Sequence, residues 1–157
     1  SCPITAPGLD RDVSFNDISP EATIAYKPNA DLNIYASYKE GFLSGGFSAL
    51  APTPGVIAGT QQVTYDQQTT RGFEAGIKAA LFDRRLFINL AAYNYKTKGL
   101  QVGVTTQGVQ QELRNAGSVR TKGIEADFTY RTPLEGLTLN GAVNYNKAYY
   151  ISYFASC

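Results

Sequence analysis

The chain contains no histidine, no methionine and no tryptophan, and its two cysteines, Cys2 and Cys157, sit at its ends. Without histidine there is no Ser-His-Asp triad, no Cys-His pair and no histidine-based metal centre. Two thiols so far apart make neither a disulfide scaffold nor a zinc site. They read as partners of each other, as partners of cysteines outside this sequence, or as two free thiols. Lacking an initiator methionine, the chain is expected to be processed or part of a longer polypeptide. Charge of one sign is also missing: 14 Lys+Arg against 13 Asp+Glu leave +1, so there is no field to attract nucleic acid. No apolar run approaches the ~18 residues of a membrane helix, and the opening Ser1-Cys2-Pro3 does not read as a signal peptide. A membrane protein stays open, because strands that alternate polar and apolar residues keep the mean hydropathy, here -0.21, low. Tyrosine (11) and glycine (15), by contrast, are plentiful, and only 17% of residues are charged. That balance suits an all-β chain with many turns. The 157 residues can bury one core but not build two full domains.

Alternation with period two dominates. Leu137, Leu139, Val143 and Tyr145 share one parity, and Thr138, Asn140, Asn144 and Asn146 the other. In a strand these sets point to opposite faces, whereas a helix would mix them. The same holds for Ile124, Ala126, Phe128 and Tyr130 against Gly123, Glu125, Asp127 and Thr129, and for Phe73 to Leu81 against Glu74 to Ala80. It holds again for Leu32 to Tyr38 against Asn33 to Lys39, and for Ala22, Ile24 and Tyr26 against Glu21, Thr23 and Lys27. The run Leu86 to Thr97 starts with Leu86, Ile88 and Leu90 on one parity, then puts Tyr93 and Tyr95 on the other. Either a bulge shifts its register or those tyrosines face the polar side.

Six strands are therefore predicted, joined alternately by short and long connections. The short ones, Pro28-Asn29-Ala30-Asp31, Phe82-Asp83-Arg84-Arg85 and Pro133-Leu134-Glu135-Gly136, carry turn residues. The long ones are Ser48 to Gln62 and the segment around Thr105 to Gln111. A hairpin repeat underlies the pattern: Gly72-Phe73-Glu74-Ala75-Gly76-Ile77 corresponds to Gly123-Ile124-Glu125-Ala126-Asp127-Phe128, 51 residues on, with a weaker copy from Glu21. Sorting tight turns to one end and long loops to the other is the habit of an up-and-down sheet in a membrane. The spans Phe15 to Lys27, Leu32 to Phe42, Arg71 to Leu81 and Leu137 to Tyr149 are also long enough for tilted transmembrane strands, which need roughly 9–11 residues. Tyr26, Phe82, Tyr130 and Tyr149-Tyr150 sit near strand ends, like an aromatic girdle. A soluble β-sandwich binding module remains the competing reading, since its strands also alternate.

The expected fold is thus all-β: an antiparallel, up-and-down transmembrane β-barrel wall of about six long strands. Glu125 and Asp127, next-but-one on a strand and about 7 Å apart, fall in the carboxylate spacing of an inverting glycosidase. An open wall offers no pocket to raise one pKa, so no catalytic residue, metal site or cofactor is expected. Gly41, Gly45 and Gly46 precede no helix and read as a bulge or bend rather than a phosphate nest. Arg84-Arg85 fits both anionic lipid heads and a solvated turn.

The residues carry a resemblance as well. Tyr35-Ala36-Ser37-Tyr38-Lys39-Glu40-Gly41-Phe42 with Gly45-Gly46-Phe47 resembles a recurring stretch in the barrels of TonB-dependent outer-membrane receptors. So do Arg71-Gly72-Phe73-Glu74-Ala75-Gly76-Ile77-Lys78 leading to Leu81-Phe82-Asp83-Arg84-Arg85-Leu86, the strand from Tyr93 to Gln101-Val102, and Asn115-Ala116-Gly117 before Gly123-Ile124-Glu125. The resemblance implies a 22-stranded barrel with an N-terminal plug, in the bacterial outer membrane, drawing on the TonB complex to import a scarce nutrient such as an iron-siderophore complex. Plug and TonB box are absent here, as is a terminal aromatic, and six strands cannot enclose a lumen. Residues 1-157 are accordingly expected to be an internal piece of the wall, with 1-14 and 48-62 as extracellular loop regions. Implied partners are outer-membrane lipid, the remaining strands and plug, the TonB complex through regions outside this sequence, and a small-molecule ligand. Glu21, Lys39, Glu74, Lys78, Glu125, Asp127, Asn140 and Asn144 read as lumen-facing, as contacts for substrate or plug or as a plainly hydrated wall. With the tight turns periplasmic, Cys2 and Cys157 lie outside the cell, where a loop disulfide fits the oxidising setting. The alternative is a structural or interaction subunit of an outer-membrane assembly, built from such hairpins without transport.

Overall fold

A computed structural model of the chain describes residues 13–47, 64–106 and 110–153. Among the described residues ten strands occur: β1 (Glu21–Asn29), β2 (Leu32–Leu43), β3 (Gly46–Phe47), β4 (Thr64–Tyr65), β5 (Gln68–Leu81), β6 (Leu86–Lys98), β7 (Gln101–Thr106), β8 (Gln110–Asn115), β9 (Gly117–Arg131) and β10 (Thr138–Tyr153). Six of them form one antiparallel sheet in the order β1-β2-β5-β6-β9-β10, so every strand pairs with its neighbours along the chain. The pairs β3-β4 and β7-β8 are separate two-stranded ribbons that prolong the β2-β5 and β6-β9 hairpins.

The sheet is a single layer. Among the described residues, Ala116 is the one buried apolar side chain, while Phe73 is 67%, Ile77 41% and Leu90 44% exposed. A sandwich would bury these between two layers. Among the described residues no second layer covers them, and β1 and β10 each have one sheet neighbour.

Register explains the two faces. The ladder β2-β5-β6-β9-β10 runs without interruption through Tyr35↔Gly76↔Ala91↔Glu125↔Asn144, and one step on through Ile34↔Ile77↔Leu90↔Ala126↔Val143. Directly opposed residues share a face, so the polar and apolar parities of all the strands line up. β6 shows no register shift against either neighbour. Of the two readings of Leu86 to Thr97, the bulge is therefore ruled out: Tyr93 and Tyr95 stand on the polar face. On β5 the apolar band runs from Phe73 to Leu81, about 26 Å along the strand at ~3.3 Å per residue. Tilted as barrel strands are, that gives roughly 20 Å of height.

Several boundaries differ from those predicted. The first strand begins at Glu21 rather than Phe15. Residues 13–20 leave the ladder after one bond, Glu40 N–H to the Pro20 carbonyl (3.0 Å), and the Phe15 ring lies over Gly45. The turn predicted as Pro28 to Asp31 shrinks to Ala30-Asp31, because Asn29 pairs with Leu32 after a register shift past Tyr26. Pro28, which has no N–H to give, is tolerated at that shift on an outer strand. The connection predicted around Thr105 to Gln111 is the β7-β8 ribbon. Gly45 lies in the gap between β2 and β3, so this glycine group marks a bend. Ser48 to Gln62, Cys2 and Cys157 lie outside the described residues.

The tight turns are tied together. Phe82, Asp83 and Arg84 adopt φ of 53°, 53° and 62°, a left-handed run that disfavours ordinary residues. Arg84 donates from Nε to Asp31 Oδ1 at 2.8 Å and from its guanidinium to the Ala30 carbonyl at 3.2 Å, joining this turn to the previous one. The arginine is thus engaged within the protein. Both partners are more than half exposed (61% and 51%), so Arg84→Ala should cost under about 1 kcal/mol. Urea titration of the intact receptor in detergent would then show a midpoint close to that of the wild type.

Candidate functional site

The polar face is built on glycine–tyrosine pairs. Tyr35 lies opposite Gly76, Tyr95 opposite Gly72 and Tyr93 opposite Gly123. A Cβ at any of these glycines would come within 2.7 Å of the facing tyrosine ring or its hydroxyl. The missing side chains let the rings lie down across the neighbouring strand.

Two of those rings converge on one carboxylate. Tyr35 donates its hydroxyl to Glu74 Oε1 at 2.9 Å, and Tyr95 donates to Glu74 Oε2 at 3.2 Å. Lys39 Nζ lies 3.6 Å from Glu74 and 4.0 Å from Glu21, bridging the two acids. Beside them Thr23 and Ser37 share a 2.9 Å hydroxyl bond, and Lys78 stands 5.8 Å over the Tyr35 ring. Further along the face Asn144 donates to Glu125 (2.8 Å), Asn89 to Asp127 (2.7 Å), Thr129 to Asn140 (2.9 Å) and Asn146 to the Tyr93 hydroxyl (3.1 Å).

All eight residues singled out in the sequence lie on this one face. The structure splits them into two groups. Glu21, Lys39 and Glu74 form an ion-paired cluster with Lys78 at its margin, whereas Glu125, Asp127, Asn140 and Asn144 make separate amide or hydroxyl pairs. Tyr35, Tyr93 and Tyr95 were not among the predicted site residues, although parity alone assigns Tyr35 to this face. Glu74→Leu would strip three polar partners of their acceptor, so we expect a loss of about 1–2 kcal/mol. Glu74→Gln should recover part of it, and thermal unfolding of the intact receptor measures both.

Above the sheet, Asn115 holds the ribbons together. Its Oδ1 accepts from the Asp66 amide (2.7 Å), and its Nδ2 donates to the carbonyls of Asp66 (2.9 Å) and Gly99 (2.7 Å). Gln101 adds bonds from Nε2 to the carbonyls of Ser44 and Asp66. The Asn-Ala-Gly segment is thus a clasp between hairpins. Asn115→Ala removes three bonds at once, and amide exchange at Asp66 should rise on the order of tenfold for each ~1.4 kcal/mol lost.

A one-layer antiparallel wall, polar on one face and greasy on the other, is the wall of a membrane-spanning β-barrel. The chain belongs to the TonB-dependent receptors: the family model described as "TonB dependent receptor-like, beta-barrel" matches residues 5–155. The family's barrels reside in the outer membrane of Gram-negative bacteria and are not enzymes. Among curated proteins, the metal-pseudopaline receptor CntO of Pseudomonas aeruginosa (strain UCBPP-PA14) is 29% identical over 143 residues, 88% of this chain and 18% of the receptor. Among solved structures, the ferric yersiniabactin uptake receptor FyuA of Yersinia pestis superimposes with a TM-score of 0.65 at 19% identity, covering 83% of this chain and 18% of that one. The alcaligin receptor FauA of Bordetella pertussis gives 0.60 at 16% identity over 92% of this chain and 24% of its own. The chain therefore spans about a fifth of the length of these relatives.

Proposed function

We propose that the chain is part of the barrel wall of a receptor that imports a scarce nutrient, a metal held by a siderophore-like chelator, with energy from the TonB complex. The observation that carries this reading is the single layer with two opposed chemistries. The apolar face meets lipid, and the polar face lines the lumen, where Glu21, Lys39, Glu74, Lys78, Glu125, Asp127, Asn140 and Asn144 meet water and the plug. The tight turns lie on the periplasmic side. The β3-β4 and β7-β8 ribbons, with residues 1-14 and 48-62, lie outside the cell. The relatives named for metal-chelator uptake favour this substrate class.

The test is uptake. A strain lacking the gene of the full-length receptor should lose import of at least one radiolabelled metal-chelator complex, regain it from a plasmid copy, and lose it again without TonB. A receptor assembled in the membrane whose removal changes import of none of a broad panel would favour a structural subunit of the envelope instead.

A further inference from the structure

The strands outrun the apolar band at the ribbon end, and there the apolar face turns basic. On β5 the band stops at Phe73 and the next residue of that face is Arg71. On β6 it stops at Ala92, followed by Asn94, Lys96 and Lys98, and on β9 at Ile124, followed by Lys122 and Arg120. On β10 Tyr145 gives way to Lys147. Phe73 stands opposite Asn94, so the edge of the band steps by one row between β5 and β6, as it must if tilted strands cross a level membrane surface.

Register packs these cations together. Arg71 faces Lys96, Lys96 faces Arg120, and Lys122 faces Lys147. Opposed residues of a ladder lie about 5 Å apart, and like charges there repel. Three such repulsions on four adjoining strands cost stability with no return inside the sheet. Among the described residues none of these six cations forms an ion pair; the pairs present involve Lys39 and Arg84. Among the described residues the nearby carboxylates are Glu40, opposite Arg71 and bonded by the Tyr38 hydroxyl at 2.7 Å, and Asp17, which accepts from Gln67 at 3.2 Å. With Arg71, Lys96 and Lys98 they line one shallow hollow. Among the described residues two acids stand against six bases, a positive excess. Among the described residues Arg120 Nε is shut off from solvent and has no hydrogen-bond partner, so an incoming anion would meet the outer nitrogens of this guanidinium rather than Nε.

We propose that this patch binds the phosphate-bearing headgroup of an outer-leaflet glycolipid, with Arg71, Lys96 and Arg120 around one phosphate and Lys122 and Lys147 nearer the acyl boundary. The inference rests on the barrel-wall reading, which sets the apolar rows below the patch in hydrocarbon and its cations at headgroup height. Arginine grips phosphate in bidentate fashion, and an anion between the opposed cations turns their repulsion into attraction. Inorganic phosphate offers the same charge but lacks the acyl chains that the adjoining apolar rows would hold.

The full-length receptor in neutral detergent, titrated with micelles containing lipid A, should bind it more tightly than the same glycolipid with its phosphates removed. Each cation near an anionic surface is worth about fivefold in affinity, so Arg71→Gln, Lys96→Gln and Arg120→Gln together should weaken binding on the order of 100-fold. Their removal relieves repulsion, so folding should survive, and the dephosphorylated-lipid comparison needs no variant. Equal binding of the two glycolipids, or of wild type and triple variant, overturns the proposal. So does displacement by inorganic phosphate at the lipid's own concentration, which would mark a free-ion site. A spin label at Leu90→Cys, in a background with the native cysteines replaced by serine, tells the two readings apart. Oxygen-accessible, nickel-shielded Leu90 with unselective lipid binding sinks only the headgroup site. A water-exposed Leu90 sinks the barrel wall and the headgroup site with it.

Discussion

Replacing Gly117 by alanine should largely abolish the folded receptor. Gly117 has φ of +115°, outside the narrow left-handed well that residues with a Cβ can enter. An added Cβ would sit 2.2 Å from the Ser152 carbonyl oxygen and 3.2 Å from the Tyr153 Cα. These are backbone atoms of the paired strand, so no side chain can swing aside. The neighbourhood has no slack either: the Gly117 carbonyl accepts from the Leu100 amide (3.0 Å), the Leu100 carbonyl accepts from the Ala116 amide (2.8 Å), and Ala116 is buried. Here the β6-β9 ladder ends at Lys98↔Ser118 and the ribbon resumes at Gln101↔Asn115. Backbone strain plus overpacking comes to roughly 3 kcal/mol or more. Heat-modifiable mobility of the receptor from outer membranes should show little folded material. The control is Gly41→Ala, whose Cβ would meet nothing within 4 Å, with an expected effect inside ~0.5 kcal/mol. Normal assembly of the Gly117 variant would contradict the junction geometry.

What could be read from the residues, and what could not, follows from the range of the interactions. Alternation is local, so the strands, their faces and the tight turn at Pro133 to Gly136 were all legible. Thr132 closes that turn with bonds to Leu137, and Gly136 takes φ +78° as its place in the turn requires. Pairing between distant strands is not local. That Glu74 gathers Tyr35 from 39 residues before it and Tyr95 from 21 after depends on the register of both ladders. The ambiguity at Tyr93 and Tyr95 dissolves only once β6 is seen to pair without a slip. The ribbons were missed because they lie beyond the membrane band, where no second solvent enforces alternation. The basic patch was missed for the converse reason. Lys96 and Lys98 share the parity of Leu86 and Ile88, and a two-faced reading assumes that each parity keeps one character along the whole strand.

The sharpest test of the two-solvent wall is Ile77→Arg. Ile77 is the middle residue of the band on β5, flanked on its face by Ile34 and Leu90, and 41% exposed. In water, arginine at a part-exposed strand position would be tolerated within about 1 kcal/mol. In a bilayer the same change at mid-depth of a barrel's lipid face costs about 2–4 kcal/mol. Ala91→Arg is the matched control. It lies one strand away on the polar face, opposite Glu125, which supplies a counter-charge, and should unfold within ~0.5 kcal/mol of the wild type. Reversible denaturant unfolding of the intact receptor in lipid vesicles would therefore separate the two variants by at least about 1.5 kcal/mol, with Ile77→Arg the weaker. Equal midpoints would mean that both faces of the sheet see the same solvent, which no barrel wall in a membrane can do.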